Sequence, residues 1–174
     1  MTATLRRAHP EDAEAVEDYH HRCFVATYRR QIDAGEFGPP DRDGTREQLR
    51  RWFQPDSTFQ TWVAVHDGSP VGHVTVFERH LVHLFVDPDH QGRGLGRRLL
   101  AHGEEQLKTA GHTTLELKAR VENVDAIAFY EHAGWAATDR LVHTVEHGIA
   151  YDERILVKDA SPASDVVTRG PTSS

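Results

Sequence analysis

Three glycines at alternating positions, Gly92, Gly94 and Gly96, separate a strand-like run from a helix-like run in Val86-Asp87-Pro88-Asp89-His90-Gln91-Gly92-Arg93-Gly94-Leu95-Gly96-Arg97-Arg98. Glycine lets backbone amides approach a ligand with no Cβ in the way. Free amides at a helix N-terminus form a site for anions. Arg93, Arg97 and Arg98 crowd the positive end of this helix, where acidic residues are normally favoured. A bound polyphosphate resolves that conflict; the other reading is a solvated helix start whose arginines reach water. A P-loop needs Lys followed by Ser or Thr after its last glycine, and here Arg97 follows Gly96. A dinucleotide fingerprint needs Gly or Ala at position 97. Glu116 stands about 20 residues further on, but the loop follows a strand meander instead of opening the fold. Both nucleotide readings are set aside.

The chain has 13 histidines, which raises the question of a metal. His80-x-x-His83 lies on a strand, where residues three apart point to opposite faces. His143 and His147 share a face only on a helix, and their segment reads as a strand ending in a turn. There is no His-Glu-x-x-His and no cysteine pair, so no metal is expected. Most histidines are expected on the surface, with His20, His21 and Tyr28 lining a pocket on the first helices. The single cysteine, Cys23, sits among Phe24, Val25 and Tyr28 and reads as a small buried hydrophobe.

The elements that must carry these residues can be read in order. Thr4–Ala8 is a short strand. His9-Pro10-Glu11-Asp12 starts a helix that continues, or breaks and restarts, through Tyr28 to about Ile32. Gly35 to Gly44 is a loop. Thr45 to Phe53 is a helix with Thr45 as N-cap and Gln48 three residues later. Thr61–His66 and Val71–Glu78 are strands joined by the turn Asp67-Gly68-Ser69-Pro70. His80–Val86 is a third strand. Leu95 to Ala110 is a helix with Leu95, Leu99 and Leu107 on one face, stopped by Gly111. Thr113–Ala119 is a strand. Asn123 caps a helix that runs to Ala133, with Gly134 at its end. Trp135–Glu146 and Ile149–Val157 are strands turning at His147-Gly148. The meander is antiparallel, and the strand–helix–strand unit after Pro88 favours parallel pairing. The fold class is therefore α/β (α+β), a central mixed sheet flanked by helices.

At 174 residues the chain suits one domain, expected to span residues 1–159. Residues 160–174, rich in Ser, Thr and Pro, read as a flexible tail. A net charge of -7 offers no general attraction to nucleic acid or anionic lipid, so neither partner is expected. No signal peptide or membrane-spanning run is seen, and a cytoplasmic location is expected.

Gln91-Gly92-Arg93-Gly94-Leu95-Gly96 resembles the Gln/Arg-x-x-Gly-x-Gly/Ala loop of the GNAT superfamily of N-acetyltransferases. Leu81-x-x-Leu84-x-Val86-x-Pro88 is similar to the strand before that loop. Asn123-x-x-Ala126-x-x-Phe129-Tyr130-x-x-x-Gly134-Trp135 resembles the family's second cofactor element, with Trp135 in place of the usual Phe. The opening Leu5-Arg6-Arg7-Ala8-x-Pro10-x-Asp12 is similar to the usual family start, and the resemblance covers most of residues 4 to 158. It implies a GNAT-like three-layer fold in which acetyl-CoA, as acyl-donor cosubstrate, is wedged where two strands splay after Val86. It further implies that the backbone of Leu84, Phe85 and Val86 pairs with the pantetheine arm. Amides from Gln91, Gly92, Arg93, Gly94, Leu95, Gly96 and Arg97 cradle the pyrophosphate. Asn123 contacts the cofactor arm, and Tyr130 lies close to its sulfur.

The implied reaction moves acetyl to a primary amine, on a small molecule or a peptide, by direct transfer in a ternary complex. The amine must lose its proton, the carbonyl oxygen must be stabilised, and the leaving thiolate must gain a proton. A thiol titrates near 8.5 and a phenol near 10, so Tyr130 suits the last step; packed beside Phe129, it also reads as a plain helix residue. His80 falls, without gaps from Gln91, where histone-type members carry a catalytic carboxylate, and histidine suits a base near neutrality. Glu78, His83 and Glu116 are other candidates. Lys118 stands where ribosomal-protein acetyltransferases carry glutamate, which weighs against simple transfer of their substrate. Family analogy alone allows a homodimer. A non-catalytic acyl-CoA sensor, or a CoA ligase or hydrolase on the same site, would use the same residues; the acceptor is left open among small molecule, peptide N-terminus and lysine side chain.

Overall fold

A short strand, β1 (Thr4–Arg7), pairs antiparallel with β2 (Gln60–His66), which turns into β3 (Ser69–Phe77) through Asp67 and Gly68. Both turn residues have positive φ, 49° and 81°, the backbone a two-residue hairpin needs to follow the strand twist. Strand β3 then pairs antiparallel with β4 (His80–Val86). The computed structural model describes residues 3–36, 38, 40–146 and 149–161. The expected turn at His147-Gly148 and the tail beyond 161 lie outside the described residues.

After β4 come helix α4 (Leu95–Thr109), strand β5 (Thr114–Arg120) and helix α5 (Val124–His132), then β6 (Ala136–Glu146) and β7 (Ile149–Asp159). The seven-stranded sheet has the order β1-β2-β3-β4-β5-β7-β6, with β4 and β5 parallel and the other pairs antiparallel. The mixed sheet and its crossover match the sequence reading.

One apolar layer packs between the sheet and α4 and α5, around Val74, Val76, Leu81, Leu99, Leu107, Leu115, Leu117 and Tyr130. Helix α4 sits close on β3 because residue 103 is glycine: a Cβ there would stand 2.8 Å from a Val74 methyl. The other face carries α1 (Ala13–Thr27), α2 (Arg29–Asp33) and α3 (Arg42–Trp52). Its core is Val16, Tyr19, Leu49, Phe53 and Val63.

The first helix does break and restart, at Tyr28. Helix α3 starts earlier than expected. Asp41, not Thr45, is its N-cap, accepting from Asp43 N at 3.1 Å, while the Thr45 hydroxyl donates back to Asp41 O at 2.7 Å. An aspartate cap satisfies an orphan amide of the first turn and made the earlier start available. Helix α1 is clamped from both sides. Buried Glu17 takes two 2.8 Å bonds from Arg42 of α3, and Arg22 grips Asp87, just past β4, at 3.0 and 3.1 Å.

Candidate functional site

Strands β4 and β5 pair only at His80↔Glu116 and Leu81↔Leu117 and then part. The gap therefore opens after Leu81, not after Val86 as the sequence suggested. The cause is local. Between Val76↔Leu81 and Thr75↔His83 the register slips by one residue, leaving Val82 as a β-bulge. A bulge bends its strand and ends regular pairing.

The bulge also re-aims side chains. His80 lies opposite Phe77 and His83 opposite Thr75, two residues of β3 that share a face. The two histidines therefore lie on the same face, towards α1 and α3, which corrects the expectation of opposite faces. The ladder phase beyond the bulge follows from Asp87 N bonding Val71 O at 3.0 Å. Alternation turns the amides and carbonyls of His83 and Phe85 towards β3, and those of Leu84 and Val86 outward into the gap. The Val86 carbonyl is already engaged, accepting from Gln91 Nε2 at 3.0 Å and from the Cys23 thiol at 3.2 Å. Gln91 thus pins the strand end to the turn. Cys23 is buried, and burial pushes its thiol up to about 11.

At the end of β4 the glycine turn is poised for an anion. Gly92 and Gly94 have φ of 74° and 78°, with open space where a Cβ would stand. Gly94 is the N-cap of α4 and has no side chain to cap it, and no acid stands in the first turn. The first backbone bond of the helix runs from Arg98 N to Gly94 O at 3.2 Å, so the preceding amides of the turn lack helix partners. Arg97 is exposed beside them, whereas Arg98 is used structurally, donating to Ala3 O at 2.6 Å. These features fit a pyrophosphate, and the open edge of β4 leads directly to them.

Helix α5 flanks the turn: a Cβ on Gly96 would stand 3.7 Å from the Phe129 ring and 3.8 Å from a Val86 methyl. Tyr130 is buried to 9% exposure, between Phe129 and Trp135. Burial raises its pKa, and no described residue bonds its hydroxyl. Asn123 caps α5 through Ala126 N at 3.2 Å and also hydrogen-bonds the side chain of Tyr28. Trp135 has a use that Phe lacks: its indole N–H donates to buried Glu104 at 2.9 Å, and Glu104 also takes Lys158 Nζ at 2.8 Å.

On the opposite face His80 Nε2 lies 3.3 Å from Glu116 Oε1. Burial works to raise the Glu116 pKa, but a hydrogen bond from Arg140 and the charges of Arg79, Arg140 and His80 hold it below the usual carboxylate range. Lys118 is exposed, and Glu78 is an exposed turn residue at φ 50°. Further along the gap, the Arg120 guanidinium lies 3.6 Å over Tyr151, 5.1 Å over Tyr28 and 5.6 Å over Phe24, joining β5, β7 and α1.

The histidines depart most from expectation. His73 is fully buried, and with His20 and His83 it forms a cluster against Phe85 and Trp52. The available signal was position: in Val71-Gly-His-Val-Thr-Val-Phe77, His73 occupies an inward slot of a central strand. Among the described residues no group of three or more His, Cys, Asp or Glu side chains is arranged to hold a metal, and no helix is long and apolar enough to cross a membrane.

Comparison with known proteins bears on this arrangement. A model of the acetyltransferase (GNAT) family matches residues 13–135. The chain is similar to the peptidyl-lysine N-acetyltransferase YjaB of Escherichia coli strain K12, 32% identical over 142 residues that cover 80% of this chain and 86% of that protein. The solution structure of apo YjaB covers 90% of this chain and 97% of its own, with TM-score 0.62 and 26% identity. A shorter match of 62 residues, 48% identical, relates it to the [ribosomal protein bS18]-alanine N-acetyltransferase of Salmonella typhimurium, covering 36% of this chain and 42% of that one. The protein yncA of Salmonella typhimurium, solved with its cofactor acetyl-CoA, shares the fold over the whole of both chains with TM-score 0.64 at 16% identity. The open strand edge, the amide-rich turn and the family match converge: the chain belongs to the acetyltransferase (GNAT) family and is an acetyl-CoA-dependent N-acetyltransferase.

Proposed function

We propose that the enzyme moves acetyl directly from the thioester to a primary amine in a ternary complex, with Tyr130 protonating the leaving thiolate. The carrying observation is the unpaired edge of β4 running into the glycine turn. A pyrophosphate held at residues 91–97 sends the pantetheine arm back along the outward groups of Leu84 and Val86. Phe85 shapes the wall, and Asn123 flanks the arm. The acetyl group then lies near Val82, where β4 and β5 part.

Tyr130 has the one phenol of α5 and is kept protonated by burial. His80 takes the amine proton, and Glu116, 3.3 Å away, balances the imidazolium that results. The nitrogen–carbon bond forms as the carbon–sulfur bond breaks, the Tyr130 proton passes to sulfur, and the phenolate recovers a proton from water. Primary amines are also what the names of both relatives imply, a lysine side chain in one and an alanine in the other.

Initial-velocity kinetics with acetyl-CoA and an amine test the order of events. Intersecting lines are expected; parallel lines, the mark of a covalent acetyl-enzyme, overturn direct transfer. His80→Gln should lower the rate most where the imidazole is neutral and so erase the acidic limb of the rate profile, and an unchanged pH profile removes His80 as the base.

A further inference from the structure

Tyr19, His73 and His83 form a hydrogen-bonded line from the core of the α1 face to the gap in the sheet. Tyr19 is 1% exposed and His73 0%. The Tyr19 hydroxyl lies 2.9 Å from His73 Nδ1, and His73 Nε2 lies 3.5 Å from His83 Nδ1. The buried Tyr19 hydroxyl has His73 Nδ1 as its one hydrogen-bond partner among the described residues, and a buried hydroxyl proton left without an acceptor is costly, so Tyr19 donates to His73 Nδ1. A neutral imidazole carries one proton, so that of His73 is on Nε2, facing His83 Nδ1. His83 Nδ1 accepts, and its own proton therefore sits on Nε2.

The ring of His83 is held on three sides. His20 stacks on it at 5.5 Å, Trp52 stands at 4.9 Å and Phe85 at 5.4 Å. Burial, and next the neighbouring His20, lower the His83 pKa to about 3, so the ring is uncharged at neutral pH. No described residue bonds its Nε2. The Val82 bulge places His83, whose ring is half-buried, on the same face as the His80–Glu116 pair, on the far side of the bulge.

We infer that His83 orients the acceptor, its Nε2–H donating to a carbonyl oxygen on the carbon beside the reacting amine, so that α-amino carbonyl compounds such as peptide N-termini and amino-acid amides are preferred over lysine ε-amines and alkylamines. This rests on the acyl-transfer reading, in which the amine is met by His80. An α-amino carbonyl compound presents its oxygen three bonds from its nitrogen, which suits two neighbouring polar groups on one face. A lysine side chain or an alkylamine has no such oxygen and leaves the donor unmet. Sites built to hydrogen-bond a substrate group reject analogues that lack it. The tautomer makes His83 a donor and not the base. Tyr19 and His73 are positioning residues, since they fix that tautomer without reaching the cleft.

The test combines kinetics with a readout of the proton. For the wild type, kcat/KM for alanine amide should exceed that for n-propylamine and for Nα-acetyl-lysine amide by about 10-fold or more. His83→Leu should remove most of that preference, and His83→Gln, which keeps a donor, should restore part of it. Long-range nitrogen–proton NMR on histidine-labelled protein should find the His83 proton on Nε2, and Tyr19→Phe should shift it towards Nδ1. A wild type that prefers alkylamines or lysine, a preference unchanged in His83→Leu, or a proton found on Nδ1 would each overturn the inference. The NMR readout needs no acceptor. It judges the donor assignment even if no amine is acetylated, a result that would instead overturn the acyl-transfer reading.

Discussion

Both faces of the sheet bury a paired carboxylate, Glu104 on one and Glu17 on the other, and the second face adds a line of neutral polar groups. Behind α4 and α5, Glu104 is buried as a charge, met by Lys158 Nζ at 2.8 Å and by the Trp135 indole at 2.9 Å. Behind α1 and α3, buried Tyr19 and His73 and half-buried His83 are neutral groups that hydrogen-bond one another. A buried charge tolerates burial only while its partner remains. A buried neutral histidine tolerates it only while the solution does not protonate it. Both faces should therefore be open to loss of a charge partner, and the second to acid as well.

The largest expected effect breaks the charged face. Glu104→Ala leaves the Lys158 ammonium half-buried without its partner and should cost about 3 kcal/mol or more in chemical denaturation. The milder Trp135→Phe, which removes only the indole donor, should cost about 1 kcal/mol. If Glu104→Ala is neutral, the charge pair does not hold this face together.

Next comes catalysis at the same face. Tyr130→Phe should lower kcat by about 100-fold while leaving acetyl-CoA affinity, measured by calorimetry, nearly unchanged. A full-rate Tyr130→Phe enzyme would return the tyrosine to a packing role.

Acid sharpens the contrast. The histidine pKa values are depressed in the folded state, to about 4 for His20 and about 3 for His83, and His73 is well below its ordinary value, with burial the largest cause each time. Below about pH 6.5 the unfolded chain then binds protons that the folded one refuses. Stability is full above that pH and should fall by about 1.4 kcal/mol per pH unit for each such histidine as pH drops towards 4. Denaturation midpoints between pH 7 and 4.5 would show it, and His73→Gln should flatten the slope. A flat wild-type profile would mean the cluster is not buried neutral.

The smallest effect concerns the turn. Gly94→Ala meets no steric obstacle, but φ of 78° is costly for any residue with a Cβ. About 1 kcal/mol is expected, read as a several-fold weaker acetyl-CoA affinity.

The glycine turn was legible because it is local. Gly92, Gly94 and Gly96 lie in contiguous backbone at a helix start, and contiguity is visible in a sequence. Asn123 and Gly134 mark the ends of α5 for the same reason. The histidine cluster was not legible. His20, His73 and His83 come from α1, β3 and β4, and their contact depends on strand register and on how α1 packs. The bulge at Val82 decided more than any single side chain: it ended the pairing of β4 with β5 after Leu81 and turned His80 and His83 to one face.

By itself, then, the sequence determined the order of elements, the mixed sheet, the glycine turn and the resemblance that names acetyl-CoA, since each rests on patterns within a few neighbouring residues. Only the tertiary structure decided where the sheet opens, that Trp135 serves Glu104, that Gln91 ties the turn to β4, and that a tyrosine and two histidines share a proton line. Those depend on a one-residue slip in a ladder and on burial by distant elements, and pairing and desolvation exist only once the chain has folded.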